Sequence, residues 1–108
     1  MVTNFGIKYK GKRFKLEVQE CKTLFEKAHG LMFKKQSKPL LFIFKRPIRA
    51  AIHSCFCQPF LAIWLRKNKV VDEKFVNKWK FSIRPKERYD RLLEIPTSSK
   101  EFSKFYRR

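Results

Sequence analysis

Acidic side chains are in short supply in this chain, with 9 Asp and Glu against 27 Lys and Arg in 108 residues. Glycine is scarcer still, at three residues, and neither a low-complexity linker nor an internal repeat occurs. There are three cysteines, an odd number that cannot make a disulfide framework, so a reducing cytoplasm is the expected compartment. Long apolar runs are missing as well. The longest, Pro39–Phe44 and Pro59–Leu65, fall far short of the ~20 residues that span a bilayer. Met1 to Val18 alternates basic and apolar residues and lacks the continuous apolar stretch of a signal peptide, so no targeting segment is expected. No catalytic motif can be read, and a non-enzymatic protein is expected.

What remains is a chain of ordinary apolar content, 44% hydrophobic, with a length suited to one domain over residues 1–108. Twelve phenylalanines are spread along it; each buried ring removes a large apolar area from water, so a core can form without staples. The net charge is +18. Such an imbalance costs self-repulsion in the compact state and attracts polyanions. The competing explanation is that the charge serves solubility.

Most segments read with period two. Phe5, Ile7 and Tyr9 alternate with Gly6, Lys8 and Lys10; Gly11-Lys12 offers a turn; Phe14, Leu16 and Val18 then alternate with basic and acidic residues. This predicts an opening hairpin whose outward lysines guard an edge strand. Thr23-Leu24-Phe25-Glu26 fits a capping box, and Gly30 a left-handed stop, which predicts a short helix over about 24–29. Leu40–Phe44 reads as a central strand. Ala51–Cys57 and Phe60–Leu65 follow as strands, and Arg66–Lys69 turns into Val70-Val71 as a second hairpin. Trp79 to Tyr89 alternates again, Tyr89–Ile95 makes a last apolar strand, and Ser98-Ser99-Lys100-Glu101 precedes a short C-terminal helix carrying Phe102, Phe105 and Tyr106. The expected fold is mainly β: a small jelly-roll-like sandwich or barrel, with one short helix after the first hairpin and another at the C-terminal end.

A series of short motifs runs in order: Gly30-Leu31-Met32, Leu40-Leu41-Phe42-Ile43-Phe44, Ile52-His53-Ser54-Cys55-Phe56, Pro59, Trp64-Leu65, Val70-Val71-Asp72 and Leu93-Glu94-Ile95-Pro96. Over about residues 21–96 the chain thereby resembles the uncharacterised prokaryotic family called domain of unknown function 192, especially its archaeal branch. The resemblance implies a β-rich, jelly-roll-like fold with one short helix, and it implies no activity. The chain departs from the family at Leu61 and Arg66, where acidic residues are common, and in its Phe- and Arg-containing tail.

His53, Cys55 and Cys57 lie at alternate positions, so a regular strand would put them on one face. At ~3.3 Å per residue the outer two are about 13 Å apart, too far for one zinc ion, which needs its ligands within ~2.3 Å. They read as core residues, with no metal or cofactor. A His53–Cys55 nucleophile pair is the best enzymatic alternative, but no oxyanion donors or third group accompany it as a motif. His29 reads as a helix cap.

The segment from Lys78 to Tyr89 has the most distinctive pattern. Lys78, Lys80, Ser82, Arg84, Lys86 and Arg88 occupy even positions, and Trp79, Phe81, Ile83, Pro85, Glu87 and Tyr89 occupy odd ones, the latter largely apolar. In an extended backbone this sets one basic face against one apolar face. Spaced cations neutralise successive phosphates, and arginine adds bidentate geometry. The alternative is a solvated edge strand, which Pro85 suits. These residues make the chain a candidate binding module for nucleic acid, RNA foremost. A small-ligand or protein-binding β-sandwich with incidental charge is the other reading.

Overall fold

The structure, a computed structural model, describes residues 2–21, 38–52, 59–77, 79–80 and 82–105. Its elements are β1 (Val2–Tyr9), β2 (Lys12–Cys21), β3 (Leu40–Ile48), β4 (Phe60–Arg66), β5 (Lys69–Val76), β6 (Tyr89–Pro96) and a short helix, α1 (Phe102–Phe105). The strands form one sheet in the order β1-β2-β3-β6-β4-β5. Neighbours are antiparallel except β2 and β3, which run parallel over Gln19–Cys21. The fold is mainly β, as expected, and takes the barrel-like option: a single sheet curled into a half-barrel.

Both predicted hairpins form, and their turns explain why. Lys67 and Asn68, between β4 and β5, have φ of 51° and 65°; two left-handed residues in a row suit a tight hairpin connection. The opening hairpin turns at Lys10 and Gly11, with φ of 50° and 80°, one residue earlier than the sequence suggested. Tyr9 and Lys12 close that turn as partners. Leu40–Phe44 lies in β3, between β2 and β6, as a central strand. Phe60 to Leu65 are all buried, because β4 has a neighbour on each side and a packed layer on each face, which matches its unbroken apolar sequence.

Two cores result. The concave face gathers Ile7, Leu16, Val18, Leu41, Ile63, Leu93 and Ile95. α1 covers it: the Phe105 ring stacks on Phe14 at 4.4 Å and tilts against Tyr9 at 5.5 Å, and Phe102 meets Phe75 edge-on. The outer face gathers Phe42, Phe60, Trp64, Tyr89 and Leu92. At one point the curl brings the two sheet edges together. Tyr9 Oη donates to Glu73 Oε1 at 2.6 Å, and Lys10 Nζ lies 3.6 Å from the same oxygen, so β1 meets β5 at the hairpin tip.

The stretch 79–89 is a correction. Before β6 begins at Tyr89 it is no regular strand: among the described residues of 79–88 only Ile83 pairs, bridging Ile52. Trp79 takes a left-handed φ of 62°, the chain bends at Lys86-Glu87, and its backbone groups are satisfied by side chains. Lys86 N–H donates to Asp72, Lys74 Nζ donates to the Arg84 carbonyl, and Arg49 Nε donates to the Pro85 carbonyl. Of the predicted strand 51–57, Ile52 makes that bridge and Ala51 is in no strand; residues 53–57 lie outside the described residues, as do the predicted helix 24–29, Gly30 and Tyr106.

Candidate functional site

The loop from Ser82 to Arg88 packs over the outer face of β5 through Asp72 and Lys74. Alternation survives there in exposure without a strand. Arg84, Lys86 and Arg88 are exposed, while Pro85 and Tyr89 are buried and Ile83 is half-buried. Glu87 breaks the pattern by facing solvent. Lys80 is exposed as well, beside Trp79, which is 52% exposed. Lys78 lies outside the described residues, as do His53, Cys55 and Cys57.

The fold adds cations that the local pattern could not supply. Ile48 pairs with Tyr89, Ile52 bridges Ile83, and Tyr89 Oη donates to the Ala50 carbonyl at 2.9 Å. Residues 48–52 are thereby laid along the loop. Arg49 joins Arg84, Lys86 and Arg88, with Lys74 reaching in from β5. Among the described residues, none of Arg84, Lys86 and Arg88 is in a salt bridge. Uncompensated arginine forks of this kind suit phosphate or carboxylate oxygens. Asp72 is occupied with the Lys86 and Glu73 backbone N–H groups.

Two other acids have contrasting environments. Glu17, on the exposed side of β2, accepts from Lys38; that hydrogen bond, and then the ammonium charge, hold its carboxyl below the usual range. Glu94 sits in mid-sheet between Leu40 on β3 and Ala62 on β4 and is only 6% exposed. Burial pushes its pKa up to about 8, so the carboxyl stays largely protonated at neutral pH. The Tyr89 hydroxyl is pushed up to about 12, first by burial and then by the charge Glu94 would carry. Among the described residues no group of His, Cys, Asp and Glu is placed to hold a metal ion, and no helix is long and apolar enough to cross a membrane.

Two solved structures share this fold. One is a protein of unknown function from Novosphingobium aromaticivorans DSM 12444, 18% identical, with a TM-score of 0.78 over 88% of this chain and 73% of that one. The other is described as a putative transcription regulator from Sinorhizobium meliloti 1021, 17% identical, with a TM-score of 0.75 over 92% of this chain and 80% of that one. No family model and no curated protein matches the chain.

Proposed function

We propose that this protein is a non-enzymatic binding module for nucleic acid, with single-stranded RNA as the favoured partner. One observation carries the reading: Arg49, Lys74, Arg84, Lys86 and Arg88, distant in sequence, gather around one loop on the outer face. Lys80 and the exposed Trp79 ring lie on the same connection. Cations that follow a backbone, together with an aromatic face on which a base stacks, are the two ingredients of single-strand binding. The Sinorhizobium neighbour, described as a putative transcription regulator, points the same way. We also place the chain in the family its motifs resemble, in support of which Leu40–Phe44, Trp64-Leu65, Val70-Val71-Asp72 and Leu93–Pro96 fall on β3, β4, β5 and β6 in turn.

The test is salt dependence. Each phosphate contact releases condensed counterions and contributes ~0.7 to the slope of log affinity against log salt on a single strand. Replacing Lys78, Lys80, Arg84, Lys86 and Arg88 by Gln is expected to flatten that slope by roughly three to four units on single-stranded RNA. Stability should hardly change, because exposed charges contribute little to it. Lys100→Gln with Lys104→Gln, on the segment that covers the concave face, is the control. An equal loss of slope per charge in both variants would mean diffuse attraction to a cationic protein. Absence of RNA binding by the unmodified chain at physiological salt would leave the ligand- or protein-binding sandwich ahead.

A further inference from the structure

Gly6 lies in the middle of β1, opposite Lys15 in unbroken register. Glycine weakens a strand interior, because it adds backbone entropy to the unfolded chain and packs nothing. Nothing in the fold requires it here. Its backbone is not left-handed, and a Cβ built on it would meet only the Phe14 carbonyl oxygen, at an ordinary 4.0 Å. Beside it lies a shallow cavity of about 340 Å³, lined by Gly6, Ile7, Lys8, Arg13, Phe14 and Lys15.

The register explains why its three basic residues converge. Lys8 pairs with Arg13 and Gly6 with Lys15, so all three basic side chains leave the outer face, while Ile7 and Phe14 turn towards the concave core. Directly opposed Cβ atoms on such a pair lie ~5 Å apart and diagonal neighbours ~7–8 Å. Three cations at that spacing repel one another. The next acid on this face, Glu17, is taken by Lys38, and among the described residues none of the three is in a salt bridge. Lysines that guard an edge strand account for charge at this position; they do not account for the glycine.

We propose that this notch is a phosphate subsite, and that it engages the same RNA strand as the loop surface. The proposal rests on the nucleic-acid reading and extends it. The curl of the sheet supplies the continuity. Past the notch, the hairpin tip carries Lys10, which reaches Glu73 on β5; the next residue, Lys74, touches the Arg84 carbonyl. The hairpin tip and the loop surface therefore adjoin at the seam where the sheet edges meet, with Glu73 between Lys10 and Lys74. A phosphodiester fits the notch because its oxygens accept from the arginine fork and both ammonium groups at once, and because the missing Cβ lets it approach the backbone closely.

Gly6→Val is the decisive variant, since it fills the notch and leaves the net charge untouched. Valine favours strands, and with only ordinary contact at its Cβ the thermal midpoint should hold or rise. Affinity for a long single-stranded oligouridylate is expected to fall by about tenfold, the equivalent of ~1.4 kcal/mol. The triple variant Lys8→Gln, Arg13→Gln, Lys15→Gln should flatten the salt slope by roughly two units, and it decides the matter should the Gly6→Val chain pair poorly. Wild-type affinity in Gly6→Val, or a loss of slope per charge in the triple variant no greater than in Lys100→Gln with Lys104→Gln, overturns the subsite. If the loop variant loses slope while both notch variants bind normally, the subsite fails and the loop reading survives. If the unmodified protein binds no oligouridylate, both fall.

Discussion

Glu94 has hydrocarbon on either side, with Leu40 across one ladder and Ala62 across the other. Its ordinary carboxyl value is 4.5, and burial raises it to about 8 in the folded chain. Between these values the folded state holds a proton that the unfolded state has released, so stability falls as pH rises through this window and levels off above it. The expected loss is on the order of a few kcal/mol at most. Glu17 acts in the opposite sense, below its ordinary range, and its exposure keeps that effect small. Thermal midpoints measured from pH 5 to pH 9 should therefore decline for the natural chain and stay nearly flat for Glu94→Gln, which should also be the more stable protein at the top of the range. A flat profile in both would mean that Glu94 is ionised in the folded protein.

Local pattern was enough for some elements and not for others. Both hairpins were legible because a two-residue turn and alternating side chains settle pairing within about twenty residues of chain. β4 was legible from its unbroken apolar run, and β6 as a last apolar strand that ends at Pro96. The connection 79–89 was not. Its alternation is real, but Asp72, Lys74 and Arg49 capture the backbone groups that a ladder would have used, and those partners come from other elements. The candidate site divides in the same way. Arg84, Lys86 and Arg88 could be read along the chain, whereas Arg49 and Lys74 join them only through the Ile52–Ile83 bridge and the packing on β5. α1 has only four residues, too few to hold alone, so its stability comes from docking. Phe105→Ala is expected to cost about 3 kcal/mol, and Phe102→Ala less, since Phe102 is only half-buried. Denaturant midpoints of the two variants rank them; equal losses would mean that the Phe105–Phe14 stack adds nothing beyond burial.

At the scale of the whole molecule, charge works against compactness. A net +18 on a half-barrel repels itself at low salt. Raising sodium chloride from about 0.01 M to about 0.15 M shortens the screening length from roughly 30 Å to roughly 8 Å, close to the molecular radius of gyration of 12.5 Å. The thermal midpoint should rise over that interval, and rise less in the variant that replaces the five loop cations by Gln. A falling midpoint would show that the Lys38–Glu17 and Lys10–Glu73 pairs outweigh the repulsion. Sheet order also has a consequence in time. β6 lies between β3 and β4, so the strand that joins the two halves of the sheet is the last of the six to be synthesised. Until residues 89–96 emerge from a ribosome, the β4–β5 hairpin has one open edge where its permanent neighbour belongs, and that edge is the most apolar strand of the molecule. Nascent chains in this state are prone to pair with each other. The same surplus of lysine and arginine that strains the finished fold keeps neighbouring nascent chains apart while the edge waits for its partner.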